Sequence, residues 1–488
     1  RLGVKEGEHI GTFAWNNHRH LELYFAVPCS KRVLHTVNIR LFKEQLIYVI
    51  NHAEDRILFV DEDLLPLIED IHSELKTVHT YVVMTDKRNL PQTSLPNVYL
   101  YEDLLAGESD QYDFPTFDEW TPAILGYTTA TTGMPKGVMY THRGLYLHCL
   151  SVLVGELGTD EKDVTMPIVP MFHVNAWGRP FSDTWVGAKQ VYPGSRPQPQ
   201  DFCELIHNER VTFSAGVPTI WMGILNHVLQ NPGKYDFSCV RIFMSGGSAL
   251  PQSLTEAYQR HLGVKLYQGY GQTETSPVTF VNVPKSWMED LSDEEKFRLR
   301  TKTGLLLPGL EMRIVNEQGQ EVARDGKEMG ELLLRGPWVL KEYYKDPEKT
   351  REAFVDGWFR TGDIVTIDEN GYIQVMDRTK DLIKSGGEWI SSVDLENLIM
   401  AHPQVAEAAV IGIPHEKWQE RPLACVALKP EAKGKVTKED IIKFLEDKVA
   451  KWWLPDDVVF VDEIPKTSVG KFSKKTLREQ YEQGILTS

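Results

Sequence analysis

At 488 residues, with 42% hydrophobic and 25% charged residues, the chain has the make-up of a soluble globular protein and is too long for one ordinary core, so two or more domains are expected. A formal net charge of −16 argues against a nucleic-acid-binding surface, while leaving room for a local basic pocket that binds phosphates. The cysteines at 29, 149, 203, 239 and 425 form no C-x-x-C pair, no apolar run approaches the ~18 residues that span a bilayer, and no charged-then-apolar leader opens the chain; together these point to the cytoplasm.

The chain starts abruptly at Arg1-Leu2-Gly3-Val4. Strand-like runs at 10–15, 33–37, 57–61 and 80–84 then alternate with helical patterns at 43–52 and 63–75. That alternation predicts an α/β fold, a large domain of βαβ layers built on a mostly parallel sheet. Residues 127–137 break the pattern with YTTATTGMPKG. Its threonine hydroxyls (Thr128, Thr129, Thr131, Thr132), Gly133 and Lys136 suit a phosphate cradle, in which hydroxyls and free N–H groups donate and a lysine adds positive charge. The spacing is not that of the common G-x-x-x-x-G-K-[ST] loop, and a plain Thr/Gly surface loop is the alternative.

Further on, VPMFHVNAW at 169–177 reads as a buried strand running into a loop that carries His173, Val174 and Trp177. SGGSALP at 245–251 is a glycine-rich turn between a strand and a helix, able to bring the backbone at Gly247 against a flat ring or a phosphate. It narrowly fails the G-x-S-x-G elbow of serine hydrolases, because Leu250 stands where the last glycine belongs. QGYGQTETS at 268–276 fails as a dinucleotide fingerprint, since Glu274 replaces the third glycine and a carboxylate repels a phosphate. A bridging Mg²⁺ would remove that conflict, as this ion favours one or two carboxylates plus phosphate oxygens. Thr361-Gly362-Asp363 puts a carboxylate on a glycine turn, where it can accept from both hydroxyls of a ribose. The cluster Asp377-Arg378-Thr379-Lys380-Asp381 reads as a linker. Beyond it, a helix capped by Ser391 with Asp394, strands at 407–413, 423–428 and 458–461, and a helix from Thr437 make a small α+β domain.

These stretches together resemble the adenylate-forming superfamily, which includes acyl-CoA synthetases, luciferases and peptide-synthetase adenylation domains. The gate-like 169–177 segment and GGEWIS at 386–391 are most similar to its medium- and long-chain fatty acyl-CoA synthetases. The resemblance implies ATP-dependent activation of a fatty acid through acyl-AMP to acyl-CoA, with ATP, Mg²⁺ and coenzyme A as reaction partners. It implies phosphate contacts from Thr128, Thr129, Thr131, Thr132, Gly133, Lys136 and Thr273, and a metal held by Thr128 and Glu274. Adenine would lie against Gly247, Gln268, Gly269 and Tyr270, and the ribose on Asp363. His173 would stand near the reacting carboxylate, with Val174 and Trp177 gating the acyl tunnel. Arg378, Lys380, Lys384 and Trp389 would approach the nucleotide, and Lys471, in PKTSVGKF, would be the catalytic lysine. The same resemblance implies a large domain 1–376, a small mobile domain 377–488 hinged at Asp377, homodimers as in some relatives, and an N-terminal portion preceding Arg1. One departure is Ala130, where relatives carry glycine; if that position needs positive φ, its Cβ costs roughly 1 kcal/mol. A nucleotide-binding relative with little turnover, a ligase for short thioether or branched acids, and an oxygen-dependent light emitter therefore stay open.

Overall fold

The computed structural model describes residues 2–128, 134–154, 157–386, 388–467 and 472–486. A first sheet of seven strands runs Val98–Leu100, Thr80–Met84, Ile57–Asp61, His9–Phe13, Val33–Thr36, Pro122–Tyr127 and Gly137–Thr141. All its pairings are parallel except the last, Pro122–Tyr127 with Gly137–Thr141. Its central strands are buried at every residue, which is why they read as mostly apolar runs rather than as alternating ones. A second seven-stranded sheet runs Leu305–Leu306, Val278–Val281, Leu266–Gly271, Ile242–Ser245, Phe213–Gly216, Val164–Pro167 and Lys189–Gln190, parallel from Leu266–Gly271 onward. The third sheet is antiparallel and pairs Trp358–Ile367 with Gly330–Arg335, Phe354–Val355 and Ile373–Arg378.

The chain leaves this third sheet at Arg378 and enters a fourth at Ile383. There Val405–His415 and Gln419–Leu428 form a long hairpin, and both Ile383–Ser385 and Asp457–Phe460 pair with its second strand. This sheet and its helices enclose a separate core containing Ile390, Leu395, Val410 and Ile441. Both expected caps form: Ser391 accepts from the Asp394 N–H, and Thr437 and Asp440 make a reciprocal capping box. The large α/β domain followed by a small α+β domain is thus the fold that the alternation and the caps predict.

One expected helix differs. Residues 63–75 form two 3₁₀ turns, Glu62–Leu64 and His72–Glu74, around a five-residue helix Leu65–Glu69. Pro66 lacks the N–H that would bond the carbonyl four residues back, and it stands in the first turn of the helix, where that N–H is not needed.

The open edge of this assembly positions the site. The second sheet's parallel strands end together at Gly216, Ser245 and Gly271. Ligands in open α/β sheets bind at this carboxyl end of the strands. Thr128 and Lys136 arrive there from the first sheet and Asp363 from the third.

Candidate active site

A cavity of about 1080 Å³ opens at this edge, lined by all three sheets of the large domain and by helix Lys474–Glu482 of the small one. Its polar end is organised around Asp363, only 2% exposed. The Tyr270 hydroxyl donates to Asp363 Oδ2, and Gln272 Nε2 donates to the same oxygen at 2.6 Å. Arg378 Nε lies 2.6 Å from the other oxygen, Oδ1. Strand register explains that pair: Asp363 and Arg378 stand directly opposite in antiparallel strands. The Asp363 charge holds the Arg378 guanidinium above its ordinary pKa, and burial keeps Tyr270 protonated as a donor. Gln272 is a member of this site that sequence reasoning missed, since glutamine carries no charge to draw attention to it.

Glu274 occupies the 3₁₀ turn Thr273–Thr275. Its backbone is fixed from elsewhere, with the Tyr140 hydroxyl on the Thr273 carbonyl (2.8 Å) and the Leu340 N–H on the Glu274 carbonyl (2.7 Å). The carboxylate accepts from the Tyr343 hydroxyl at 2.8 Å, and Lys136 Nζ lies 3.9 Å from the same oxygen, Oε1, and 3.9 Å from the Tyr343 ring centre. Burial pulls the Lys136 pKa down and Glu274 partly offsets it. Tyr343 is the second residue that sequence reasoning missed; it is 69 positions from Glu274 and lies in no motif. Thr128 and Lys136 close the base of the loop, Thr128 N–H to the Lys136 carbonyl (2.9 Å) and Lys136 N–H to Thr128 Oγ1 (3.0 Å). Thr129, Ala130, Thr131, Thr132 and Gly133 lie outside the described residues.

This donor set fits a hard divalent ion. Glu274 Oε2 has no hydrogen bond among the described residues, and the Thr128 hydroxyl keeps lone-pair capacity. No cluster of three His, Cys, Asp or Glu side chains that could hold a metal exists among the described residues, so the remaining ligands would come from phosphate and water, as Mg²⁺ prefers.

The gate segment takes a form that its apolar pattern did not foretell. Val174, Asn175, Ala176 and Trp177 all adopt positive φ (43°, 52°, 45° and 60°), followed by Gly178 at 78°. A left-handed run costs about 1–2 kcal/mol per non-glycine residue, so the packing around it must hold it in place. Asn175 and Ala176 are fully buried, and a Cβ on Gly178 would stand 2.7 Å from the His148 ring. Burial, reinforced by Arg179, pushes the His148 pKa down to about 3, leaving a neutral ring that accepts from the Val278 N–H. Trp177 lies over the 245–251 turn, where a Cβ on Gly246 would meet the indole at 2.7 Å and the Gly269 carbonyl at 2.8 Å. Gly246→Ala should therefore destabilise the protein by about 1–3 kcal/mol through overpacking, read as a lowered melting temperature. His173, Val174, Gly247, Gly269 and Gln268 line the cavity, and Gln268 Oε1 is buried without a partner among the described residues.

Arg378, at the end of the third sheet, and Lys380 after it reach the cavity, as do Thr467, Phe472 and Ser473 of the small domain. Lys471 lies outside the described residues. Lys384 and Trp389 are not brought there: they pair across a hairpin away from the cavity, with Lys384 Nζ 3.6 Å from Glu317. Asp377 is buried and accepts from the Arg378 and Ser392 N–H groups at 2.8 and 2.9 Å. Lys474, which no motif marked, bridges 2.8 Å to Glu396 and 3.9 Å to Asp377.

Residues 1–344 match the AMP-binding enzyme model, and residues 394–471 match the AMP-binding enzyme C-terminal domain. The chain is 51% identical over 98% of its length to a long-chain-fatty-acid–CoA ligase of Thermus thermophilus, covering 86% of that protein. It is 42% identical over its full length to a medium-chain-fatty-acid–CoA ligase of Ectopseudomonas oleovorans, covering 88% of that protein. It is also 43% identical over 99% of its length to a 3-methylmercaptopropionyl-CoA ligase of Ruegeria lacuscaerulensis, covering 89% of that protein. Among solved structures, the anthranilate CoA ligase AuaEII with anthranoyl-AMP superposes with a TM-score of 0.86 at 27% identity, covering all of this chain and 90% of that one. ATP-bound MatB from Rhodopseudomonas palustris gives 0.83 at 26% identity, covering all of this chain and 91% of that one. Sequence match, shared fold and a cavity at the strand ends agree, and the chain belongs to the AMP-binding enzyme family.

Proposed function

We propose that this protein is an AMP-forming acid–thiol ligase that converts a medium- or long-chain fatty acid to its acyl-CoA. The observation that carries this reading is one continuous cavity with a charged end, at Asp363, Arg378, Glu274 and Lys136, and an apolar arm beyond Trp177. In the first half-reaction a carboxylate oxygen attacks the α-phosphorus of ATP, and the bond to pyrophosphate breaks. In the second, the CoA thiolate attacks the acyl carbon and AMP leaves with the bonding pair. Splitting the reaction in this way turns a poor leaving group into a good one.

Asp363 accepts from the ribose hydroxyls, and the turn at Gly247 with Tyr270 holds the adenine. Lys136 and Thr273 face the phosphates, and His173 stands where the acid's carboxylate enters. Mg²⁺, held by Glu274 and Thr128 when bound, would supply charge neutralisation at the phosphates. Lys471 would neutralise the charge that builds between carboxylate and α-phosphate. Residues 377–488 would then turn about Asp377, withdrawing Lys471 and bringing in the hairpin of Lys384 and Trp389; their distance from the cavity in the present arrangement supports that reading. All five cysteines are free, in keeping with a reducing, cytoplasmic setting.

The test is pyrophosphate release with ATP and Mg²⁺ across fatty acids of graded length, with and without CoA. Acid-dependent release followed by acyl-CoA on adding CoA is the expected result. ATP binding without release for any acid would instead indicate a nucleotide-binding relative with little turnover.

A further inference from the structure

The apolar arm runs along one face of the second sheet. Register selects that face: Phe213 pairs with Ile242, Ala215 with Met244 and Met244 with Tyr267, and these side chains cluster with Leu157 and Val169. The alternate residues, Ser214 and Phe243, turn to the opposite side, where Phe243 joins another core. Gly216, at the strand's carboxyl end, accepts from the Gly246 N–H beside the gate. From there back to Phe213 is three residues, roughly 10 Å of strand.

At that depth the wall stops being apolar. Arg179, 6% exposed, lines the cavity with its guanidinium 4.3 Å from the centre of the Phe213 ring. Its Nε lies 3.2 Å from Asp183 Oδ2, Nη2 donates to Asp183 Oδ1 and, at 2.8 Å, to Thr159 Oγ1, and Thr159 in turn donates to Asp183 at 3.0 Å. Among the described residues no hydrogen bond engages Nη1.

We propose that Arg179 is the floor of the acyl arm and a specificity-determining residue, selecting acids whose far end carries an uncharged hydrogen-bond acceptor such as a hydroxyl or oxo group. The acceptor must be uncharged because Asp183 already neutralises the guanidinium; a second carboxylate would leave a net negative charge buried in an apolar arm. This inference rests on the ligase reading above and names the substrate class for the same site.

The experiment compares kcat/KM, by pyrophosphate release, for unsubstituted and ω-hydroxy acids of equal length from hexanoic to hexadecanoic. At the length that places the hydroxyl against Nη1, the ω-hydroxy acid should be preferred about tenfold. In the double variant Arg179→Leu/Asp183→Leu, which removes both charges together, that ratio should fall to about one and longer alkyl chains should be accepted. A melting curve checks that the variant folds, and the wild-type comparison decides the matter if it does not. Equal kcat/KM for the two series at every length, or a preference unmoved in the folded double variant, overturns the proposal while leaving the ligase reading intact. Release with no acid of either series overturns both.

Discussion

Replacing Lys471 with Met should lower acid-dependent pyrophosphate release about 10³-fold, while transfer of the acyl group from supplied acyl-adenylate to CoA should stay within about threefold of wild type. The asymmetry follows from charge. In adenylation an anionic carboxylate approaches an anionic phosphate, and the pentacoordinate state gathers negative charge on the equatorial oxygens, which a nearby ammonium stabilises selectively. In thioester formation the phosphate is already a leaving group, and the charge develops at the acyl carbon's oxygen. Thr467, Phe472 and Ser473, on either side of Lys471 in sequence, line the cavity. Measuring the two half-reactions separately checks the assignment, and an equal loss in both would sink it.

Asp363→Ala should raise the KM for ATP about 10²-fold, the loss expected when a charged acceptor no longer pairs with ribose hydroxyls at about 1.5–3 kcal/mol each. The same change removes the acceptor for Tyr270 and Gln272 and the partner of Arg378. Breaking a fully buried ion pair costs about 3–5 kcal/mol, but the Arg378 side chain is 46% exposed and water can take up its charge. A stability loss of about 2 kcal/mol is therefore the expected size. Steady-state kinetics in ATP and in acid, with a melting curve alongside, separate the two effects. A KM that rises for the acid and not for ATP would remove Asp363 from the ribose.

The candidate site residues were picked out where they stand in consecutive positions. YTTATTGMPKG, QGYGQTETS and TGD each announce a hydrogen-bonding or charged group on a turn, and turn chemistry is local: glycine and threonine act through backbone atoms a few bonds away. The caps at Ser391 and Thr437 were readable for the same reason, each needing only a partner three residues on. The βαβ alternation was readable because parallel strands buried on both faces are mostly apolar. Helix 63–75 was over-extended because its apolar spacing is helical, whereas Pro66 sets the start of a helix that ends at Glu69.

The layered fold and the residue types that line the cavity were thus legible in the chain alone. Only the tertiary structure decided which distant groups complete them: Tyr343 on Glu274, Gln272 on Asp363, Lys474 between Glu396 and Asp377, and Arg179 against Phe213. It also decided that Lys384 and Trp389 stand away from the cavity in this arrangement of the domains. The physical reason is sequence separation. Contacts between far-apart residues depend on strand register and on which faces pack together, quantities fixed by the whole core rather than by any local stretch.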